Sequence, residues 1–446
     1  MNRALFPVVL ALLAASSARA QESPAALASA ELPSLVAMYK RLHASPELST
    51  REAKTSAFVA KELAAAGYRV AYPFGDYRIP GRTAYGVVAV MKNGAGPTVL
   101  LRADMDALPV EEKTGLPYAS AVRAKDLSGE TVPVMHACGH DLHTTTLIGA
   151  ARVLAKLKER WKGTLVLVAQ PAEEFGDGAK AMLDGGLYAK FPKPDFLFAL
   201  HDTPEQPAGQ IGYKPGYALA SIDTLELLVK GKGGHGAWPQ NAKDPIVLAA
   251  QIVLALQTVV SREVPALEAA VLTVGSIHGG TRANLIPNEV RLQITLRTFK
   301  EELRTKLLAA IQRVANGQAA SAGLPESMYP VLSRTEEPTP STYNDPALMK
   351  RLLPVFASQI GAENVQETDA HMGGEDFSRY SLDHAIPSAM FWIGAVDPKT
   401  FAQAKETGAP LPPLHSSLFA PAPEAALRVS VPAMTAAALE LLAGKR

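Results

Sequence analysis

The chain is short of cysteine. Cys138 is the only one in 446 residues, so no internal disulfide can form and stability has to come from packing. It has no charge bias either: 44 basic residues face 43 acidic ones, a formal net charge of +1. No polybasic surface follows from that balance, which argues against nucleic acid as a partner. Internal repeats and long low-complexity tracts are missing, apart from a general richness in alanine. Past the N-terminus no apolar run reads as a membrane span, so no stable membrane association is expected of the mature protein. What is there is 48% apolar and 20% charged, as in soluble globular proteins, over a length suited to about two or three domains.

The N-terminus reads separately. Met1-Asn2-Arg3 is a positive start, Ala4 to Ala15 is apolar, and Ala18-Arg19-Ala20 fits a small-x-small cleavage site. Residues 1–20 are therefore expected to be a secretory signal peptide, and the mature protein to be periplasmic or extracellular. The alternative is an uncleaved anchor, although the run falls short of the ~20 residues a bilayer needs.

Three short, nearly continuous apolar runs follow: Thr98 to Ala103, Thr164 to Ala169 and Asp195 to Leu200. Strands buried on both faces read this way. Helical patterns separate them, Leu142 to Trp161 and then Ala179 to Leu187, so an α/β domain with a largely parallel sheet is expected. What comes after each run is polar: Asp104-Met105-Asp106, then Glu173-Glu174, then His201-Asp202. Ligands of open α/β sheets bind beyond the carboxyl ends of the strands, so these residues are expected at one rim. The segment "HACGHDLH", His136 to His143, opens the helix after the first run and belongs to the same rim.

After Tyr217 the rhythm changes to β-α-β-β-α-β: Ile222 to Lys230, Ile246 to Val260 behind Asp244-Pro245, Ala270 to Ile277, Glu289 to Phe299, Glu301 to Ala315 and Met328 to Ser333. That order predicts a ferredoxin-like α+β unit at residues 219–334, inserted into an α/β domain made of residues 21–218 and 335–446.

Taken singly, the polar residues are ambiguous. A lone cysteine is often a small buried hydrophobe. It can also be a nucleophile paired with histidine, or a metal ligand. A His at a strand end is often a hydrogen-bonded core residue, and Glu-Glu is often a solvated loop. Together, Cys138, His140, Glu174, His201 and His415 form a five-ligand set suited to two ions sharing a bridging group. Asp104 or Asp106 could hold a ligating histidine by its other ring nitrogen.

These segments resemble a known family. "LHASPELS" (42–49), "RADMDALPV" (102–110), "MHACGHDLHT" (135–144), "QPAEE" (170–174), "GKGGHGAWP" (231–239), "RANLIPNEV" (282–290), "MGGEDF" (372–377) and "LHS" (414–416) occur in the order seen in the dinuclear metallo-amidohydrolases of the aminoacylase and carboxypeptidase superfamily. The branch most resembled holds hippurate hydrolase and the auxin–amino acid conjugate hydrolases. The resemblance implies two divalent ions per subunit (Zn, Mn, Ni or Co), with Cys138 bridging and His140, Glu174, His201 and His415 completing the spheres. It implies Glu173 as general base, Asp106 as the acid that orients a ligand, and His235 as oxyanion stabiliser reaching a neighbouring subunit of a homodimer. Asn284 and Arg297 match positions that hold the substrate carboxylate in the lid and dimerisation unit. The chain departs from the family at Asp202, where an apolar residue is usual, and at Gln240, where a histidine is usual.

The activity so implied is hydrolysis of N-acyl amino acids to a carboxylic acid and an amino acid. A dipeptidase or carboxypeptidase-type peptidase is the alternative. A thiol hydrolase built on Cys138 and a non-catalytic periplasmic binding protein are further readings.

Overall fold

The computed structural model describes residues 23–443; the expected signal peptide lies outside them. The centre is an eight-stranded mixed sheet. Its spatial order is Arg69–Phe74, Gly86–Asn93, Gly163–Gln170, Thr98–Asp104, Phe196–Pro207, Ser388–Val396, Ile211–Tyr213 and Val365–Glu367. The four middle strands, from Gly163–Gln170 to Ser388–Val396, run parallel to one another, with antiparallel neighbours on both sides. Strands Thr98–Asp104 and Gly163–Gln170 are buried almost end to end, which is why they read as unbroken apolar runs. One face packs on helices Pro24–His43, His140–Lys156, Pro346–Ile360 and Pro423–Leu442. The other packs on a smaller apolar group that includes Met182, Leu187, Phe377 and Tyr380.

In the small unit, the helix expected to end at Ala315 runs to Ser321 and the strand expected from Met328 starts at Val331. Around the central sheet three elements differ from the expectation. The helix after "HACG" starts at His140 and ends at Lys156, and Trp161 lies beyond it with its indole N–H on the Leu154 carbonyl at 3.0 Å. The helix expected over 179–187 is two pieces, Gly178–Asp184 and Leu187–Lys190, because Gly186 sits at φ +87° between them. The strand expected to stop at Leu200 runs on to Pro207, so His201 and Asp202 are inside it. Pairing with Ser388–Val396 carries the backbone past the apolar run, with Trp392 opposite His201.

Residues 221–334 form a second, fully antiparallel sheet in the order Ala270–His278, Glu289–Thr298, Ser221–Lys230, Val331–Arg334. Helices Pro245–Glu263 and Glu301–Ser321 cover one face and enclose a separate apolar core. Asp244 caps the first helix through the Ile246 N–H at 2.8 Å. Strand Ser221–Lys230 alternates buried and half-buried residues along its length, so its other face stays open. Among the described residues two helices, Pro245–Glu263 and Pro423–Leu442, are long and apolar enough to cross a membrane, where the sequence had suggested no such run. The second is mostly buried against the central sheet; the first buries Leu248, Ile252, Leu256 and Val259 on the small sheet.

Candidate metal centre

Four chain segments meet at the carboxyl end of the parallel strands. The first is the turn before helix His140–Lys156. Gly139 holds φ +72° there, and a Cβ at this position would fall 2.1 Å from Asp202 Oδ2, so only glycine fits. The turn aims the Cys138 thiol and the His140 ring the same way. His140 Nδ1–H donates to the Asp106 main-chain carbonyl at 2.9 Å, which leaves Nε2 as the free lone pair. The second segment is the short turn Glu173–Phe175, where Glu174 Oε1 lies 3.9 Å from His140 Nε2. The third is strand Phe196–Pro207. His201 Nδ1–H donates to the Asp202 carbonyl at 2.7 Å, and its Nε2 stands 3.7 Å from Cys138 Sγ. The fourth is the loop at His415, whose φ is +66° and whose N–H is held by the Ala137 carbonyl at 2.8 Å. His415 Nε2 lies 3.4 Å from Glu174 Oε2.

All five expected ligands are thus linked atom to atom. Cys138, His140 and Glu174 offer ligand atoms within 4.8 Å of one another, and Asp104, His140, His143 and His201 make a second such group. His140 Nε2 and Glu174 Oε1 are buried, face the cluster and have no hydrogen-bond partner among the described residues. Buried polar atoms are rarely left so, and a thiolate, imidazoles and carboxylates gathered around them fit divalent cations. Of the second group His143 is already engaged: Nδ1–H donates to Asp104 at 2.6 Å and Nε2 accepts the Asp202 N–H at 2.8 Å. It serves as a brace. Asp202, the departure beside His201, is buried against that ring and against Gly139.

Asp106 organises the site more broadly than a ligand-orienting acid. Its carboxylate accepts Ser49 Oγ–H at 2.6 Å and the N–H groups of Glu173 and Glu174, each at 3.1 Å. Beneath it Arg102, fully buried, holds Asp104 at 2.6 Å, Glu375 at 2.8 Å and Asp376 at 3.1 Å. This acidic layer acts on the cluster. Burial, then Glu375 and Glu174, pushes the Glu173 carboxyl well above its ordinary range, and burial lifts Glu174 to about 7. Burial and Glu174 likewise raise the Cys138 thiol. An upward shift is the direction a carboxyl needs if it is to take a proton and later return it.

A cavity of about 870 Å³ opens above these groups. Its floor includes Cys138, Glu173, Glu174, His201 and His415, and the open face of the small sheet contributes Ile222, Thr224 and Arg297. Arg297 donates to the Met372 carbonyl at 2.9 Å. His235 and Asn284 do not line it. His235 is exposed, accepts the Ala237 N–H at 3.0 Å and has its ring centre 4.5 Å from that of Trp238, tilted at 49°; Asn284 is exposed beside it. Gln240 is exposed in the adjoining turn Pro239–Asn241. His136 is buried, neither ring nitrogen has a partner among the described residues, and burial lowers its pKa to about 4. Sequence reasoning did not single out Ser49, Arg102, Glu375 or Asp376, although each lies inside or next to a segment quoted for the resemblance.

The family model described as Peptidase family M20/M25/M40 matches residues 100–407. N-acetylcysteine deacetylase of Bacillus subtilis (strain 168) is 36% identical over 363 residues, 81% of this chain and 88% of that protein. IAA-amino acid hydrolase ILR1-like 4 of Arabidopsis thaliana is 37% identical over 360 residues, 81% of this chain and 77% of that one. The crystal structure of the Bacillus subtilis YXEP protein, described as a dinuclear metal binding peptidase from the M20 family, superposes with a TM-score of 0.73 at 30% identity. It covers 94% of this chain and 100% of its own. The chain belongs to peptidase family M20/M25/M40 and is a metal-dependent amidohydrolase, with a buried cluster able to hold two divalent ions.

Proposed function

We propose that this protein is an exported hydrolase of N-acyl amino acids. The observation that carries the reading is Glu173, a buried carboxyl of raised pKa standing 3.9 Å from the bare His140 Nε2 on the floor of a cavity roofed by Arg297. The relatives named for N-acetylcysteine and IAA-amino acid substrates support the substrate class. Cys138 would bridge the ions, with His140, Glu174, His201 and His415 as the remaining ligands. When bound, the pair supplies Lewis acidity that brings proton loss from water near neutral pH.

The chain's own groups do the rest. Glu173 takes a proton from the attacking water, whose oxygen bonds to the acyl carbon. As the C–N bond breaks, Glu173 returns that proton to the leaving nitrogen. Asp106 keeps Glu173 and Glu174 in place by their main-chain N–H groups. Arg297 is proposed to bind the substrate carboxylate from the cavity wall, and Asn284, which lies outside this cavity beside His235, would reach it with His235 from a neighbouring subunit. His235 would donate to the oxyanion of a neighbouring subunit's site, worth about 3–4 kcal/mol for a well-placed donor.

Residues 219–334 are proposed as the lid and dimerisation domain. Leu254 (72% exposed) on the outer side of helix Pro245–Glu263 and Ile277 (52%) on the outermost strand of the small sheet support that surface. The signal-peptide reading of residues 1–20 supports export. The test is a turnover screen of metal-reconstituted protein over N-acetyl, N-benzoyl and N-indoleacetyl amino acids with dipeptides alongside. Cleavage of N-acyl amino acids is expected; turnover of dipeptides alone would favour a peptidase.

A further inference from the structure

The turn that carries Glu173 closes on itself through Gly176 N–H and the Glu173 carbonyl at 2.7 Å, but its own leading N–H groups are held from distant parts of the chain. Ala172, just before it, is fully buried and sits at φ +50°, a left-handed conformation that an L side chain rarely adopts. Glu173 and Glu174 follow as a single 3₁₀ turn. Three consecutive main-chain N–H groups, those of residues 172, 173 and 174, all donate to carboxyl side chains. Asp106 takes the last two. The first goes to Glu52, whose Oε1 accepts Ala172 N–H at 2.9 Å and Thr50 N–H at 2.8 Å.

Glu52 stands 120 residues from Ala172 in sequence, is fully buried and sits at the N-cap of helix Ala53–Ala65. Its side chain makes no capping bond to that helix. The Glu52 carboxyl, buried at a helix start, is turned away from that helix and onto two residues of positive φ, its neighbour Thr50 at +65° and Ala172 next to the general base. We propose that Glu52 is a positioning residue: with Asp106 it forms a two-carboxylate clamp on the main chain of residues 172–174, and so sets where the Glu173 carboxyl stands. The inference rests on Glu173 being the base.

The test uses the full-length, metal-loaded protein as Glu52→Ala, Glu52→Gln and Glu52→Asp. Glutamine keeps an acceptor oxygen at the same reach; aspartate keeps the charge but is one methylene short. The substrate is N-benzoylglycine, or whichever member of the N-acyl panel turns over fastest. In Glu52→Ala the kcat is expected to fall about 30-fold, the scale of a sub-ångström to ångström displacement of a catalytic group. KM should stay within about twofold and the metal content should be unchanged, since neither substrate nor ions touch Glu52. Main-chain hydrogen exchange at Ala172 should speed up by about tenfold or more. Glu52→Gln should restore both kcat and exchange to near wild type, and Glu52→Asp should behave like Glu52→Ala, which keeps the test open if the alanine variant does not fold.

Unchanged kcat and unchanged Ala172 exchange in Glu52→Ala would overturn the proposal. So would activity lost in proportion to metal, or a glutamine variant no better than alanine. Failure of the hydrolase reading is seen separately, as wild-type protein inert across the whole panel; the exchange measurement then decides the clamp on its own.

Discussion

At the rim of the large sheet, Asp104, Asp106, His140 and His143 are all buried, and each is braced by another residue from a distant part of the chain. In residues 221–334, His235, Asn284 and Gln240 are exposed, and what surrounds them is main-chain pairing, Gly236 N–H on the Asn284 carbonyl and His235 opposite Leu285, rather than buried side-chain braces. The two regions are built for different conditions. A cluster of ligands must exist before ions arrive, so its geometry is fixed inside one subunit by fully engaged supports. Groups that meet a substrate late, or across a subunit boundary, are presented on a surface. On the proposed reading all five ion ligands come from one chain, and His235 would act in a neighbouring one.

The sharpest break of that comparison is Glu173→Ala. It should retain both ions and lose roughly 10²- to 10⁴-fold in kcat, measured by steady-state kinetics beside metal analysis. Next is Arg102→Ala, which strands Asp104, Glu375 and Asp376 as buried charges. Unfolding in denaturant should show a loss of about 3–5 kcal/mol, the cost of removing one partner from a buried ion cluster. His235→Ala should lower kcat by roughly 10²- to 10³-fold with little change in stability. Mixing His235→Ala with Glu173→Ala should then regain up to about a quarter of wild-type activity through exchanged subunits, and no regain would mean that His235 does not act across an interface. The smallest effect is expected from Leu254→Asp: association weaker by roughly tenfold or more in analytical ultracentrifugation, with the large-sheet cluster still binding its ions.

Much of this was legible in the sequence, for physical reasons. Strands covered on both faces give unbroken apolar runs, so Thr98–Asp104 and Gly163–Gln170 were readable, and so was the polar residue set that follows them. The small unit was readable from alternation and from the Asp244-Pro245 cap. His201 looked like a strand terminus because the apolar run stops at Leu200, whereas main-chain pairing with Ser388–Val396 continues regardless of side-chain character. The supports were not readable. Arg102 meets Glu375 and Asp376 across 273 and 274 residues, and Glu52 meets Ala172 across 120. No local pattern marks such pairs. Cys138 could not be told from a buried hydrophobe by its neighbours alone; its meaning came from Glu174, His201 and His415 arriving at the same point.

On the proposed reading Cys138 would join two ions held by His140, Glu174, His201 and His415. Cobalt reconstitution with parallel elemental analysis tests it directly. Wild-type protein should bind two Co²⁺ per subunit with a thiolate-to-cobalt charge-transfer band, and Cys138→Ala should lose the band and the paired stoichiometry together. A Cys138→Ala variant that keeps both ions and full turnover would contradict the account.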